Sequence, residues 1–161
     1  MAEVFFIGDT HFGHEKILQF SAQRGNFSCI EEHDEMIVSR WNAAVTKRDT
    51  VWHMGDVAFR DSLPIVKRLN GYKRLVMGNH EHKHSNEYAK YFDRLYGVTE
   101  YKGFVLSHIP VHDSQKTRYK GNIHGHLHGK SLADKWYMNV SCEQINCTPI
   151  SFENLTSKQW N

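Results

Sequence analysis

Residues 3–11 read EVFFIGDTH, an apolar run that stops at Gly8 and is followed by Asp9 and His11. The apolar run predicts a buried β-strand, and the Gly-Asp pair predicts a turn where the strand ends. The same pattern returns in TVWHMGD at 50–56 and in KRLVMGNH at 73–80. Strands that recur in this way between helical segments predict an α/β fold with a parallel sheet in its first half.

The rest of the chain divides into further helices and strands. Apolar spacing predicts a helix over 30–45, a short helix over 61–71 and a helix over 85–96. Further strands are predicted within 98–101, 103–108, 121–126 and 136–143, paired as antiparallel hairpins, and a last helix over 151–160. There is no repeat or linker composition, so we expect one domain over 1–161.

Composition narrows the classes of function. The chain has 161 residues, 40% of them hydrophobic and 24% charged, and a net charge of +2. This charge argues against a protein that coats nucleic acid. No apolar run is long enough to cross a bilayer. The 3 cysteines form no CxxC pair, which together with the lack of a signal peptide leads us to expect a reducing, cytoplasmic setting. The unusual number is the 12 histidines.

Residue types that bind metals recur where strands are predicted to end. In GNIHGHLHG at 121–129, histidines alternate with small residues that leave room for something compact between the imidazoles. Asp9 and His11 are two residues apart, so an extended backbone would point both to one face. The candidate ligands are Asp9, His11, Asp56, Asn79, His108, His126 and His128. Nitrogen and oxygen donors without sulfur suit Mn, Fe, Zn, Ni or Co, and so many donors suit two ions that share Asp56.

Each motif alone is more often an ordinary turn, but their order is informative. The ordered set comprises Asp9-x-His11, Gly55-Asp56, Gly78-Asn79-His80-Glu81, His108 and Gly125-His126-x-His128. It resembles the calcineurin-like metallophosphoesterase family over residues 9–128. The stretches DTHFGHEKI, WNAAV and DTVWHMGD, together with NVSCE and PISFENL in the tail, are similar to a small bacterial and phage-type subgroup of that family.

The resemblance implies a fold and a mechanism. The fold would be a four-layer α/β/β/α sandwich with mixed sheets. One ion would be held by Asp9, His11, Asp56 and His128, and the other by Asp56, Asn79, His108 and His126. A hydroxide bridging the two ions would attack phosphorus. His80 would not be a ligand but would assist the leaving oxygen, and Glu81 would favour its protonated form if it turned towards it.

These features favour a phosphodiesterase that acts on a small or nucleotide-type substrate, with two divalent ions of which manganese is preferred. The chain offers no long insertion that could form a lid, so we expect an open cleft. Two alternatives stay open: a non-catalytic binding module with the same fold, and a nuclease that acts on polymeric nucleic acid. The near-neutral charge argues against the second. We expect no membrane partner, and either a monomer or a homodimer.

Overall fold

The computed structural model describes residues 1–81 and 83–158. Its strands are β1 (Val4–Ile7), β2 (Thr50–His53), β3 (Tyr72–Val76), β4 (Arg94–Tyr96), β5 (Thr99–Tyr101), β6 (Phe104–Leu106), β7 (Gly121–His124), β8 (Tyr137–Asn139) and β9 (Ile150–Ser151). Its α-helices are α1 (Ile17–Phe20), α2 (Ile30–Ala44), α3 (Ser85–Tyr88) and α4 (Phe152–Ser157). The 3₁₀ helices cover Ala22–Arg24, Arg60–Arg68, Asp113–Thr117 and Cys142–Gln144.

The strands form two mixed sheets. In the first sheet, ordered β4-β3-β2-β1-β9, the strands β1 to β4 are parallel and β9 is antiparallel to β1. In the second, ordered β5-β6-β7-β8, the strand β5 is antiparallel and the other three are parallel. Helices flank the two sheets. The predicted α/β sandwich with mixed sheets is therefore confirmed.

Successive side chains of β2 point to different layers of the sandwich. Trp52 lies 6.2 Å, between ring centroids, from Tyr101 of the second sheet, whereas His53 faces the opposite way and stacks near Trp41 of α2. Successive side chains of a strand point to opposite faces, so β2 contacts both the facing sheet and the covering helix. Phe152 of α4 contacts Phe6 and Tyr101, and so lies between the sheets. One apolar core thus joins both sheets to the helices.

The two sheets also meet through their backbones beyond the end of β1. Gly8 pairs in parallel with Ser141, its N–H donating to the Val140 carbonyl at 2.8 Å, and its carbonyl accepting from the Cys142 N–H at 3.1 Å. A side chain at Gly8 would lie 3.2 Å from the Met54 Cβ. This bridge holds the carboxyl ends of the parallel strands of both sheets beside each other.

Some of the predicted elements are wrong. The helix over 85–96 ends at Tyr88, after which the chain turns and forms β4 against β3. Pairing with β3 at the sheet edge replaces the continued helix here. The Asp93 N–H donates to the Lys73 carbonyl, and the Lys73 N–H donates to the Asp93 carboxylate. The short helix predicted over 61–71 is a 3₁₀ helix that ends at Arg68.

The predicted antiparallel hairpins are also wrong beyond β5–β6. Segments 107–120 and 125–136 are long enough to return the chain to the start of the sheet, so β6, β7 and β8 run parallel. The helix over 30–45 is confirmed as α2, and the last helix is confirmed over Phe152–Ser157. Its predicted end at 159–160 lies outside the described residues. Among the described residues, no helix is long and apolar enough to span a bilayer.

We expect Trp41→Ala to lower the free energy of unfolding by about 3–5 kcal/mol, since it leaves a large cavity. Trp41 is fully buried, and its indole N–H donates to the Asn70 carbonyl at 3.0 Å. Val98→Ala is the control, because Val98 is 64% exposed. It should change the unfolding free energy by less than about 0.5 kcal/mol. Urea denaturation followed by circular dichroism measures both, and equal effects would contradict the assigned core.

Candidate metal centre

All seven candidate ligands follow the carboxyl ends of parallel strands. Asp9 and His11 follow β1, Asp56 follows β2, Asn79 follows β3, His108 follows β6, and His126 and His128 follow β7. Because the Gly8–Ser141 pairing holds both sheets together, these ends meet at a single edge of the sandwich. In open α/β sheets this edge is the usual place for ligands.

A left-handed backbone brings most of these side chains together. The φ angles are 55° at Asp9, 50° at His11, 55° at Asp56, 69° at His126 and 51° at His128. The extended backbone expected between Asp9 and His11 is therefore wrong, although both side chains do reach the same place. Non-glycine residues rarely adopt this conformation, although Asp and His do so more often than most. Such clustered strain is typical of functional sites.

Asp9, His11 and His128 form the first group of possible ligands. One donor atom from each lies within 4.8 Å of the others. The His11 Nε2 and the His128 Nε2 are each 3.8 Å from the Asp9 Oδ1. Asp9 and His11 are buried, while His128 is partly exposed. The group is thus anchored in the protein and open to solvent on one side.

Asp56, His108 and His126 form the second group, also within 4.8 Å. The His108 Nε2 is 3.4 Å from the Asp56 Oδ2, 3.2 Å from the His126 Nδ1 and 3.0 Å from the Asn79 Oδ1. The Asp56 Oδ2 is also 3.7 Å from the His11 Nε2 of the first group. Asp56 therefore stands between the two groups, where a bridging carboxylate would have to be.

The donors fit divalent ions. Two donors on one ion, with bonds of about 2.0–2.2 Å, lie at most about 4.4 Å apart. The individual distances between donor atoms, from 3.0 Å for His108 to Asn79 to 3.8 Å for His11 to Asp9, are within this limit. Both ring nitrogens of His11 are buried and have no hydrogen-bond partner, although the ring is only 3% exposed. A buried imidazole with no partner is costly in a folded protein unless another group satisfies it. The imidazole and carboxylate donors suit first-row transition metals.

Neighbouring groups fix how the ligands present their nitrogens. The His108 Nδ1 donates to the Met54 carbonyl at 2.6 Å, so its Nε2 faces Asp56. The His128 Nδ1 contacts the Glu143 Oε1 at 3.0 Å, so its Nε2 faces Asp9. Carboxylate and carbonyl partners of this kind orient metal-binding histidines. The His124 Nδ1 donates to the Gly125 carbonyl at 2.8 Å.

Arg24 connects Glu143, the partner of His128, to the first donor group. Its guanidinium donates to the Glu143 carboxylate at 2.8 Å, to the Thr10 carbonyl at 3.0 Å and to the Asp9 carbonyl. Arg24 and Glu143 are both buried side chains, and this pairing together with His128 lowers the pKa of Glu143 to about 2 against the effect of burial. Neither residue was predicted to belong to the site: SAQRG carries no motif signal, and NVSCE, which contains Glu143, carries the subgroup resemblance without indicating a role for this carboxylate.

Glu81 has a different role from the one expected. Its carboxylate accepts from the backbone N–H groups of Asp56 at 3.0 Å, Val57 at 2.8 Å and Gly78 at 2.5 Å. It is fully buried and therefore holds the turns after β2 and β3 together, instead of turning to His80. Three backbone donors compete for this carboxylate, so the condition considered for Glu81, a side chain turned towards His80, is not met.

Electrostatics favour charged carboxylates at the centre. Burial alone would raise the pKa of Asp9, but the imidazoles of His11, His108 and His128 hold it well below its usual range. Burial disfavours the imidazolium of His108, yet the carboxylates of Asp56 and Asp9 raise its pKa to about 9. A cation at the second group would therefore have to displace the His108 proton.

His80 is beside the two groups without belonging to either. Its Nε2 is 3.8 Å from the Asp56 Oδ2, and its side chain is 45% exposed. Its ring contacts the Phe59 ring at 5.0 Å and the His11 ring at 5.9 Å between centroids. His80 and several candidate ligands line one open cavity of about 670 Å³. A partly exposed imidazole at this position can donate a proton to a bound molecule.

Comparisons with known proteins give matches that cover most of the chain. The sequence profile of calcineurin-like phosphoesterases matches residues 2–161. An uncharacterized protein of Methanocaldococcus jannaschii is 31% identical, covering 95% of this chain and 89% of its own length. The gene 66 protein of Mycobacterium phage L5 is 27% identical over 84% of this chain and 82% of its own. The crystal structure of an Aquifex aeolicus protein of unknown function aligns with a TM-score of 0.79 and 28% identity, covering 97% and 98% of the two chains.

We expect Gly78→Ala to weaken manganese binding about 10- to 100-fold, because supporting groups of a metal site typically have effects of this size. A Cβ at Gly78 would lie 2.8 Å from the Asp56 nitrogen and 2.8 Å from the Glu81 Oε2, and would also contact the Asp56 carboxylate. Gly97→Ala is the matched control, since a Cβ there meets no atom within 4 Å. Calorimetric titration with manganese measures both, and an unchanged affinity for Gly78→Ala would contradict the site.

Manganese should also raise the melting temperature. At a concentration 100 times its Kd, each bound ion adds about 2.7 kcal/mol of stability, which for a chain of this size raises Tm by about 5–10 °C. Asp56→Asn should remove most of this rise, because Asp56 lies between both groups. Asp134→Asn, at an exposed carboxylate paired with Lys116, should retain it. Differential scanning fluorimetry measures the melting temperature with and without manganese. An equal rise in both variants would exclude Asp56 as a ligand.

Proposed function

The chain belongs to the calcineurin-like phosphoesterase family, and from this membership we propose that it is a two-metal phosphodiesterase acting on a small, nucleotide-type substrate. Membership of this family supports hydrolysis of phosphoester bonds as the reaction. The observation that carries the finer proposal is the convergence of two donor groups on Asp56, beside the exposed imidazole of His80.

The ligands are proposed as two sets that share one carboxylate. Asp9, His11, Asp56 and His128 would hold one ion, and Asp56, Asn79, His108 and His126 the other. Manganese is the proposed metal, because the donors combine imidazoles with carboxylate and amide oxygens. Two such ions would supply hydroxide near neutral pH and would offset the negative charge of the phosphoryl oxygens.

His80 is proposed to protonate the leaving oxygen. An alkoxide is a poor leaving group, so proton donation in the transition state speeds its departure. The backbone N–H of His80 donates to the Asp56 Oδ1 at 3.3 Å, and its ring packs against Phe59. These contacts fix the imidazole beside the shared carboxylate while its exposed part faces the cavity.

A diester is proposed over a monoester because of the charge of the cavity. Among its described lining residues, Lys130 is the one formal cation apart from the histidines. A monoester dianion would need more positive charge than a diester monoanion does. The cavity is also open, which leaves room for a substituent on each side of phosphorus.

The first test is metal-dependent hydrolysis by His80→Ala. The protein is stripped with a chelator, reloaded with manganese and assayed with bis(4-nitrophenyl) phosphate, cyclic nucleotides and dinucleotides. Loss of the general acid should lower kcat about 10²- to 10⁴-fold. The bound manganese, measured by elemental analysis, should stay the same, because His80 is in neither donor group.

His112→Gln is the control for this substitution. His112 has an 82% exposed side chain and is not among the residues lining the cavity, so activity should be unchanged. Wild-type protein that binds manganese but hydrolyses no ester would favour the binding-module alternative. Full activity in His80→Ala would contradict the role of His80.

A further inference from the structure

His80 also lines a second cavity. We call it the His80 cleft; its volume is about 640 Å³, a size typical of small-molecule sites. Its described lining residues are Ala58, Phe59, Asp61, Leu63, Pro64, His80, His84, Glu87, Tyr88 and Tyr91. It contains no candidate metal ligand. The donor groups open instead into the first cavity, which shares only His80 with the His80 cleft among these residues.

His80 therefore forms a wall between the two cavities. If its imidazole protonates the leaving oxygen, that oxygen lies next to His80, and its substituent continues beyond it. The His80 cleft is the other cavity that His80 lines, so we place this substituent there. The other substituent of phosphorus then stays on the side of the first cavity, near Ile17, Phe20 and Leu127. The position of the proton donor thus determines which substituent enters the cleft.

The walls of the His80 cleft suit a planar ring. Phe59 and Tyr91 are partly exposed, and Leu63 and Pro64 add apolar surface. Phe59 is held in place by His14, whose ring stacks on it at 4.0 Å with planes 8° apart. Tyr91 is contacted by the Lys67 ammonium at 5.3 Å from its centroid. Fixed aromatic side chains of this kind bind bases by stacking.

The polar groups of the cleft suit a molecule with several hydrogen-bond donors. Asp61 and Glu87 are exposed carboxylates, which can only accept hydrogen bonds when ionised. Glu87 is paired with Lys90 at 2.8 Å but keeps an exposed side chain. The hydroxyls of a ribose and the exocyclic amino group of a base are such donors. Apolar ring surface and carboxylate acceptors therefore occur together in one cleft.

We propose that the His80 cleft is the leaving-group subsite and that it binds a nucleoside. This rests on the proposed function. In the reaction, the phosphorus–oxygen bond to the nucleoside breaks and the oxygen of water bonds to phosphorus. His80 delivers a proton to the nucleoside oxygen and is restored by the proton that water gives up. The products are a free nucleoside and a phosphate monoester of the other alcohol.

The test uses adenosine 5′-methyl phosphate with the manganese-loaded protein in ¹⁸O-labelled water. Its two alcohols are both poor leaving groups, so binding decides which bond breaks. The proposal predicts adenosine and ¹⁸O-labelled methyl phosphate. Labelled adenosine monophosphate with methanol would overturn it, since the nucleoside would then lie in the first cavity. Hydrolysis of neither bond, nor of any diester in the panel, would instead contradict the proposed function.

Variants of the cleft give an independent measure. Tyr91→Ala should lower kcat/KM for adenosine 5′-methyl phosphate about 5- to 100-fold, as expected for the loss of one stacking contact. It should leave kcat/KM for dimethyl phosphate within about twofold of wild type, because this substrate has no ring that could contact Tyr91. Tyr72→Ala, at a 60% exposed tyrosine outside the cleft, is the matched control and should affect neither substrate. Equal losses with both substrates would contradict the subsite.

Glu87→Gln tests the same cleft without removing buried surface, because the Glu87 side chain is 57% exposed. It should lower kcat/KM for the adenosine diester about three- to tenfold, the effect of weakening one hydrogen bond to a charged group. Glu153→Gln, an exposed carboxylate outside the cleft, is its control. Unchanged kcat/KM in Glu87→Gln, together with unchanged kcat/KM in Tyr91→Ala, would overturn the proposal.

Discussion

The left-handed backbone at the strand ends is the constraint on which the rest of the site depends. Asp9, His11, Asp56, His126 and His128 all have φ angles between 50° and 69°. Each such residue costs about 1 kcal/mol or more relative to an ordinary conformation. The cost is tolerated because neighbouring turns bind one another: the Asp9 N–H donates to the Gly55 carbonyl, and the His11 N–H donates to the Asp56 carbonyl. Hydrogen bonds between neighbouring turns thus stabilise the left-handed conformation of each.

Two glycines of the motifs are explained by close packing against the carboxylates, since neither Gly78 nor Gly125 has a positive φ. A Cβ at Gly125 would contact the Asp9 carboxylate, and a Cβ at Gly78 would contact that of Asp56. The His126 N–H also donates to the Asp9 Oδ2 at 2.9 Å, which requires the chain after β7 to pass very close to Asp9. These glycines leave room for the carboxylates. We predicted that the glycines leave room between the imidazoles; at Gly78 and Gly125 the room is taken by the carboxylates of Asp56 and Asp9.

The sequence allowed the main features of the fold and the proximity of the candidate ligands to be predicted. Apolar runs that end in Gly-Asp or Gly-Asn identify β1, β2 and β3, and polar residues after them must meet when the strands are parallel. Local signals could not determine the pairing of β4, because Tyr88, Tyr91, Phe92 and Leu95 fit a helix equally well. Nor could they identify Arg24 and Glu143, whose importance comes from burial and from contacts made across the fold.

The difference between His80 and the candidate ligands follows from how each is held. His108 and His128 each have a fixed partner on one ring nitrogen, which leaves the other pointing at a carboxylate. Nearly half of the His80 side chain is exposed, whereas the His108 side chain is buried. A ligand must keep one orientation, whereas a proton donor must reach both the substrate and the solvent that reprotonates it. In the proposed reaction, the rigid turns would hold the ions and the exposed imidazole would supply the proton, and the arrangement of the strand ends places the two side by side.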